Sequence, residues 1–574
     1  MPTADSFKLR NRNLIAGIAV VVLALSLWRL TQPTPQSELR LTQLTFDPGL
    51  TGWPAISPDG RTVAYASDRD TGGNLELYVQ PIRGGSPVRL TSGGEDNSEP
   101  VFSPDGATLA FHSTGAGGGI YTIPVAGGIP RPIVAGGHTP RYSPDGHWIA
   151  YSDPAGAAIV ASAGGPPRRL HPEFQSLRAP TWSPDGRSVI FWARDDLWVA
   201  PLDDGSPEST GIAPRLAQAG LGNGPFEDAL WTASGLLFSA RTGFVRNIYR
   251  CPLSRAGKAS GYIVRLTNGT ELMGDASVSN GGRMVLSSGR QRFDIWGLPL
   301  DADSGQAKGP PYRITDTLAP TANPDVSADG RRLIFGCSRN GVTEVWEKDL
   351  ATGKEWVAAT GPEGASYGRL LKSSGNLLYV RPAGVHDDVY LANRKLAVGT
   401  RPWDADSRET TVLVSGAGID ALNILTMERA PLLTAPNRMK LSQASFSPDD
   451  RWVLFLAETA ATSRIFVAPA HGGEWLPITD SVTKAGKPRF SPDGRTIYFT
   501  LEREGTREIA AVRFDPRNGD VRGGPFNVFR SPAARLSLLA VNPQALDIAV
   551  ARDKLVTILC EQTSTIWIAD LVPD

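Results

Sequence analysis

The chain has 574 residues, and its 58 basic and 58 acidic side chains cancel to a formal charge of zero. That balance excludes a protein built to hold nucleic acid electrostatically, and a composition of 41% hydrophobic and 20% charged residues excludes a disordered polymer. Gly (61) and Pro (46) are enriched beside 14 Trp, which points to many short strands joined by tight turns.

Residues 1–13 form a short tail in which Lys8, Arg10 and Arg12 precede fifteen uncharged positions, Leu14–Trp28. At ~1.5 Å per residue these span about 22 Å, short of a hydrocarbon core of about 30 Å. Arg29 and Leu30 extend the helix, with Trp28 at interface depth. A transmembrane signal anchor over 14–30 is the favoured reading. A cleaved signal peptide is the rival, with Ala24-Leu25-Ser26 as its small-x-small triplet, and a buried soluble helix is the third reading. The positive flank keeps 1–13 in the cytoplasm and sends the rest across. The expected location is therefore the inner membrane, single-pass, with the bulk of the chain periplasmic. Residues 31–38, containing Gln32-Pro33-Thr34-Pro35-Gln36, read as an extended linker.

From residue 39 one unit recurs, centred on an apolar residue followed by Ser-Pro-Asp-Gly. Full copies are Ser57–Gly60, Ser103–Gly106, Ser143–Gly146, Ser183–Gly186 and Ser491–Gly494. Near copies are Ser327–Gly330 and Ser447–Asp450, and weaker ones begin at Thr232, Ser279, Lys372, Asp404 and Asn542. Twelve copies at a spacing of about 44 residues are the signature of a propeller or solenoid. Pro presets the turn, Ser and Asp reach back to backbone amides, and Gly closes it without steric cost. Alternating strands flank each turn, as in Thr62–Ala66 and Thr496–Thr500, and a third strand carries a recurrent aromatic such as Tyr78, Tyr121, Trp198, Trp346 or Tyr390. These aromatics are expected to pack blade against blade. The fold class is all-β: tandem β-propellers of about twelve four-stranded blades. The expected rings are 39–310 and 311–574, six blades each, with seven plus five as the alternative because the unit between 372 and 404 is short. Leu39–Thr42 looks like a fourth strand without a blade, and the chain ends on a third strand, Trp567–Leu571, without a fourth. Residues 39–45 should therefore complete the edge of the sixth or the twelfth blade.

The repeat, with Ala66-Ser67-Asp68-Arg69-Asp70, Glu76-Leu77-Tyr78-Val79 and Arg89-Leu90-Thr91, resembles the WD40-like PD40 repeats of the TolB beta-propeller family. Gln443–Trp452, Trp475–Asp480 and Ile548–Lys554 are similar to the outer region of bacterial receptor-like proteins. In those, propellers follow a single membrane span behind a cytoplasmic winged-helix or Ser/Thr kinase domain. The resemblance implies a scaffold or sensor that binds a protein or peptide ligand.

Candidate chemistry is sparse. Gly364-Ala365-Ser366-Tyr367-Gly368 matches the hydrolase elbow in letters but lacks the strand-to-helix context. Asp68-x-Asp70 and Asp301-x-Asp303 begin like calcium loops without the closing Glu. The histidines His112, His138, His147, His171, His386 and His471 form no HxH or HExxH pair, although the first three are near enough in sequence to meet across blades. Cys251, Cys337 and Cys560 read as buried small hydrophobes, with a disulfide between two of them open if the chain is exported. No catalytic, cofactor-binding or metal residue is assigned, no cofactor is expected, and the chain reads as a non-enzyme. Two alternatives stay open: a propeller lyase or hydrolase with a channel-facing site, and an accessory subunit of a peptidase.

Overall fold

A computed structural model of the chain describes residues 39–571, apart from 72, 175–176, 204, 223–225, 227, 244, 318, 340, 385, 437–438, 461, 481–483, 504–505, 531–534 and 539. The expected tail, anchor and linker over 1–38 lie outside the described residues. Among those described, no helix is long and apolar enough to cross a membrane.

The described chain is β-structure almost throughout, with one α-helix, Ala213–Gln218. Nine sheets have four strands each, in simple antiparallel order, and a tenth joins twelve strands. The first sheet is Thr51–Ile56, Thr62–Ser67, Glu76–Pro81 and Val88–Arg89, and later sheets repeat it. These four-stranded units have the form of propeller blades. The first strand of each sheet packs on the first strand of the next: Thr51–Ile56 on Asn97–Phe102, that on His138–Tyr142, and that on Arg178–Trp182. Leu272–Val278 then packs back on Thr51–Ile56. In the second half Thr321–Val326 packs both on Ser366–Leu370 and on Ile548–Val550 near the C-terminus.

The twelve-stranded sheet is organised by two long strands. Arg283–Asp301 runs antiparallel to Lys554–Asp570 in unbroken register from Arg283↔Asp570 to Pro299↔Lys554. Beside one half of this ribbon lie Leu272–Val278 and Thr42–Gln43, giving four strands. Beside the other half lie Ile548–Val550 and Tyr312–Arg313, again giving four. Each long strand is thus second in one blade-like unit and third in the other. Thr42–Gln43 pairs with Trp567 and Ile568, so the N-terminal strand completes the unit that holds the sixth repeat's strands by pairing with the last strand of the chain. The two expected recipients, sixth and twelfth, are joined in one sheet.

The Ser-Pro-Asp-Gly turns are built alike. Ser57 Oγ donates to Asp59 Oδ1 at 2.6 Å and accepts from Thr62 N–H at 2.9 Å, and Asp59 Oδ1 accepts from Arg61 N–H at 3.0 Å. Gly60 takes φ of 70°, where other residues are strained. Successive turns stack, so that a Cβ on Gly106, Gly146 or Gly186 would lie 3.4–3.6 Å from the preceding turn's proline. Asn280 N–H, in the sixth turn, donates to Pro58 O in the first at 3.1 Å. Three weak copies sit elsewhere than expected. The eighth turn opens at Leu371 and the ninth at Asp406. Asn542–Leu546 is a turn before the inner strand, and the turn after that strand is Arg552-Asp553. The ribbon forms this unit's second and third strands, which displaces the expected spacing.

The recurrent aromatics join clusters between sheets, as Tyr390 does with Ile334 and Val345, and also have a partner within their own sheet. Tyr78, Tyr121, Tyr249, Tyr390 and Phe466 each stand directly opposite an aromatic on the second strand of their own sheet: Tyr65, Phe111, Phe238, Tyr379 and Phe455. Ring centroids lie 5.5–6.0 Å apart. Arginines cover several pairs, with Arg69 at 5.0 Å from Tyr78 and Arg381 at 4.6 Å from Tyr390. The three cysteines are buried and free.

Two outcomes follow. Ile566 is fully buried among Ile56, Tyr65 and Val285, so Ile566→Ala should cost about 2–5 kcal/mol in urea unfolding and expose the first sheet to hydrogen exchange. The turn hydroxyls of Ser57, Ser103, Ser143, Ser183 and Ser327 hold the carboxyls of Asp59, Asp105, Asp145, Asp185 and Asp329 below the ordinary 3.8. A depressed folded-state pKa stabilises above the unfolded value and is lost as pH falls through the folded one. The unfolding midpoint should therefore decline below about pH 4, and less steeply in a variant with these serines changed to Ala.

Candidate functional site

The inner strands carry a shared irregularity. Four residues before the turn-opening residue, the backbone enters the left-handed region at Trp53 (φ 49°), Glu99 (56°), Thr139 (53°), Ala179 (50°) and Asp275 (54°). The second half repeats this at Asn323 (49°), Tyr367 (53°), Gln443 (56°) and Lys487 (55°). Each coincides with a register shift against the second strand, the mark of a β-bulge. A non-glycine residue held there costs about 1–2 kcal/mol. Hydrogen bonds between sheets oppose that cost. Glu99 Oε2 accepts from Thr139 N–H at 2.5 Å, Asp228 Oδ2 from Asp275 N–H at 3.1 Å, and Gln443 Oε1 from Lys487 N–H at 2.7 Å. Two residues further on, Ser277 Oγ accepts from Ile56 N–H at 3.1 Å and Asp325 Oδ2 from Leu370 N–H at 2.8 Å.

In the second half these positions gather charge. Asp547, 4% exposed, accepts from Arg489 Nη2 at 2.8 and 2.9 Å and from Arg369 Nη2. Arg369 also faces Asp325 Oδ1 at 3.7 Å. Burial alone would raise the Asp547 carboxyl, but the charges of Arg369, Arg489 and Lys487 outweigh it and hold it well below the carboxylate range. Asp325 goes the other way: burial raises it more than Arg369 lowers it. Burial depresses the Lys487 ammonium.

Above this cluster, at the turn end of the inner strands, lies a cavity of about 570 Å³. All six inner strands of the second half reach it, through Asp325, Arg369, Asp404, Ser445, Arg489 and Ala549. Five cations and three acids line it, and two buried acids outside the lining, Glu347 on Arg332 and Asp547 on Arg369 and Arg489, balance the charge. Asp404 is occupied by Phe446 N–H at 3.0 Å and by Lys372 Nζ at 3.4 Å. Trp403 Nε1 and Ser445 Oγ, on two of the lining residues, are buried without a protein hydrogen bond, and Arg369 Nη1 meets Asp325 Oδ1 at 3.7 Å. Asp547 is tied to two guanidinium groups, an arrangement that fixes strands rather than freeing a base.

The motifs considered in the sequence fall away from this cavity. Ser366 opens an inner strand, Ser366–Leu370, and another strand follows it where a hydrolase elbow requires a helix. Asp68 accepts from Leu50 N–H at 2.9 Å and Asp70 from Tyr78 O–H at 2.7 Å, so both serve a turn. Asp301 caps its own turn through Ser304 N–H at 3.0 Å. His112 lies near Glu99 and His138, while His147 sits in the third turn, its backbone N–H on Asp145 at 3.0 Å. Burial lowers the His112 imidazole. Among the described residues no group of three or more His, Cys, Asp or Glu is placed to hold a metal. The cavity residues were missed because the turn motif drew attention two to four positions downstream. The available signal was a proline after the left-handed residue, as in Trp53-Pro54, Glu99-Pro100, Thr139-Pro140, Asn323-Pro324 and Lys487-Pro488.

Asp547→Ala should lower stability by about 3–5 kcal/mol in urea unfolding, because it leaves Arg369 and Arg489 buried without their counter-charge.

Comparison with known proteins places the repeat. Residues 37–199 match the TolB beta propeller domain, PD40. The uncharacterized peptidase YuxL of Bacillus subtilis (strain 168) is 31% identical over 155 residues, 27% of this chain and 22% of that protein. The uncharacterized protein Atu1656 of Agrobacterium fabrum is 28% identical over 165 residues, 24% of this chain and 53% of that protein. The chain thus spans about a fifth and about half of the lengths of these relatives. Among solved structures, a TolB-type protein from Agrobacterium tumefaciens aligns at 14% identity and a TM-score of 0.38 over 48% of this chain and 99% of its own. The tricorn protease aligns at 12% and 0.34 over 84% of this chain and 52% of its own. Over residues 37–199 the repeat is therefore of the TolB beta-propeller type, and the sheets that follow are built on the same plan.

Proposed function

We propose that this chain is a non-catalytic binding module, an extracytoplasmic scaffold or sensor held at the inner membrane by residues 14–30. Its sheets close as two six-bladed rings, the first roughly 39–310 and the second 311–574, with the ribbon shared between them. A protein or peptide ligand enters the second ring at its turn face. The observation that carries this reading is the cavity of about 570 Å³ reached by all six inner strands of the second half and lined by charged and polar side chains. Cavities of this size suit a ligand group or a short peptide segment. The basic flank and apolar run of 8–30 support the anchor.

A second reading, an accessory subunit of a peptidase, is favoured by one observation: a relative over 27% of this chain bears a peptidase name.

Two measurements test these readings. Alkaline phosphatase fused after Asp574 should be active in intact cells, and an inactive but well-expressed fusion would overturn the topology. Crosslinking through a C-terminal tag, followed by solubilisation, should recover a stoichiometric partner protein. Recovery of a hydrolase would favour the second reading.

A further inference from the structure

In each of the nine four-stranded sheets the second and third strands follow one another in the chain and form a hairpin. That hairpin sets a third-strand aromatic opposite a second-strand station, as Tyr121 stands opposite Phe111, ten positions earlier. At the ribbon the two stations are filled from different halves: Trp567 stands opposite Leu286, and Trp296 opposite Thr557. Along the chain, however, Leu286 lies ten positions before Trp296, and Thr557 ten before Trp567. Each long strand therefore has the length of one complete hairpin. Gly289–Phe293 and Cys560–Ser564 fall where the loop Thr114–Gly118 joins Ser113 to its partner Gly119. The third-strand segments match in side chains as well, Ile295-Trp296 in one and Ile566-Trp567 in the other. The ribbon has the form of two equivalent hairpins, opened and exchanged between the halves.

We propose that the chain has a second closed form in which each hairpin closes on itself, and that the ribbon is a conformational switch between the exchanged and the local form. In the local form Arg283–Ser288 pairs with Asp294–Pro299, and Lys554–Leu559 with Thr565–Asp570. The first-half unit then runs through four consecutive strands, from Leu272–Val278 to Tyr312–Arg313, and keeps the pairing of Tyr312 with Gly297. Its core receives the same side chains, because the place of Ile566 among Ile56, Tyr65 and Val285 passes to Ile295. The two forms thus bury equivalent groups and differ chiefly at the crossing and at the N-terminal strand.

At the crossing, Glu561 is held by Arg313 and by Arg535 Nη2 at 3.0 Å, and Arg535 also faces Asp68 Oδ2 at 3.7 Å. These ties join both halves and favour the exchanged form. Gly289 is needed there too, since a Cβ on it would collide with the carbonyl of Thr563 across the ribbon. At the N-terminal strand, Leu44 N–H donates to Ile566 O at 2.8 Å, Ser564 N–H to Gly49 O at 3.1 Å, and Thr42 pairs with Ile568. In the local form Ser564–Ile568 belongs to the other half, so Thr42–Leu50 loses these partners in the first. The state of the switch is therefore reported at the N-terminal strand, whatever the cavity binds.

Disulfide trapping in the full-length chain tests this. Ser564→Cys places a thiol four positions from the native Cys560. In the extended ribbon the two are about 13 Å apart, beyond disulfide reach, whereas the local loop brings them together. Under mild oxidation they should link at least about tenfold faster than Cys251, buried in a cluster without ribbon residues, is alkylated, so the link does not need global unfolding. Gly289→Ala and Glu561→Gln should each speed that link by about fivefold or more by weakening the crossing, and either variant suffices if the other fails to fold. Arg283→Cys with Asp570→Cys, opposite one another only in the exchanged form, should link within one chain. Once closed, that link should abolish the one between 560 and 564. Three results would each overturn the proposal: linking of 560 to 564 no faster than Cys251 alkylation, linking undiminished with 283 and 570 joined, or joining of 283 to 570 between two chains instead of within one.

Discussion

The paired strands Arg283–Asp301 and Lys554–Asp570 are the constraint on which the rest of the fold depends. Neither blade-like unit at the ribbon is complete without a strand from the other half of the sequence. A tandem array of sheets ends on two exposed edges, which invite pairing with other chains. Here one long antiparallel pair fills the second and third positions of both terminal units, and Thr42–Gln43 and Tyr312–Arg313 cover its outer edges. The contacts span more than 250 residues, so their loop-closure entropy is met late, and folding of such a chain is slow relative to one built from local hairpins. Buried side chains from both halves then share one cluster, in which Ile295, Leu298 and Phe335 pack with Ile548, Val556 and Ile558.

Within each sheet, two local devices do the repeated work. The Ser-Pro-Asp-Gly turn satisfies its own amides, so the reversal from first to second strand needs nothing from neighbours. The aromatic pair across the second and third strands fills the wider, outer part of the sheet, and an arginine such as Arg69 or Arg381 closes it from solvent. Because both devices are local, the sheets tolerate weak copies. The unit between Leu371 and Asp406 is short, yet Ser366–Leu370, Leu377–Ala383, His386–Leu391 and Arg394–Val398 still form four strands by using tight hairpins.

What was legible in the sequence follows the same division. Turn chemistry and strand alternation are local, so the unit, its four strands and the propeller-type plan could be read from Ser57–Gly60 and its copies. The partner of a strand is not local. Arg283–Gly289 looks like any second strand, and nothing in its side chains says that Ser564–Asp570, not the next segment, lies beside it. The unpaired ends at Leu39–Thr42 and Trp567–Leu571 were the one trace of this exchange. The aromatics pack between sheets as their period suggests, Tyr78 with Val285 and Ile566 and Tyr390 with Ile334 and Val345, but the period could not show the second aromatic each faces within its own sheet. The bulged positions were opaque for another reason. Trp53, Glu99, Ala179 and Lys487 share a backbone state and a following proline but no side-chain chemistry.

That variability shows in what the two halves place at these positions. A left-handed residue on an inner strand directs its side chain away from the regular pleat, toward the neighbouring inner strands. In the first half the groups at and near these positions are acceptors turned on neighbouring amides: Glu99 on Thr139, Asp228 on Asp275, Ser277 on Ile56. They close the packing between sheets. In the second half the same stations hold Lys487, and two residues on hold Arg369 and Arg489, three cations that a single buried acid, Asp547, gathers. Asp547 has two oxygens, and the guanidinium groups have more donors than those oxygens can accept. The second terminal nitrogen of Arg369 is left facing Asp325 Oδ1 at 3.7 Å. Both halves thus tie neighbouring sheets together at these positions, the second also through Gln443 on Lys487 N–H and Asp325 on Leu370 N–H, and the second adds a buried ion cluster around Asp547 beneath an open cavity.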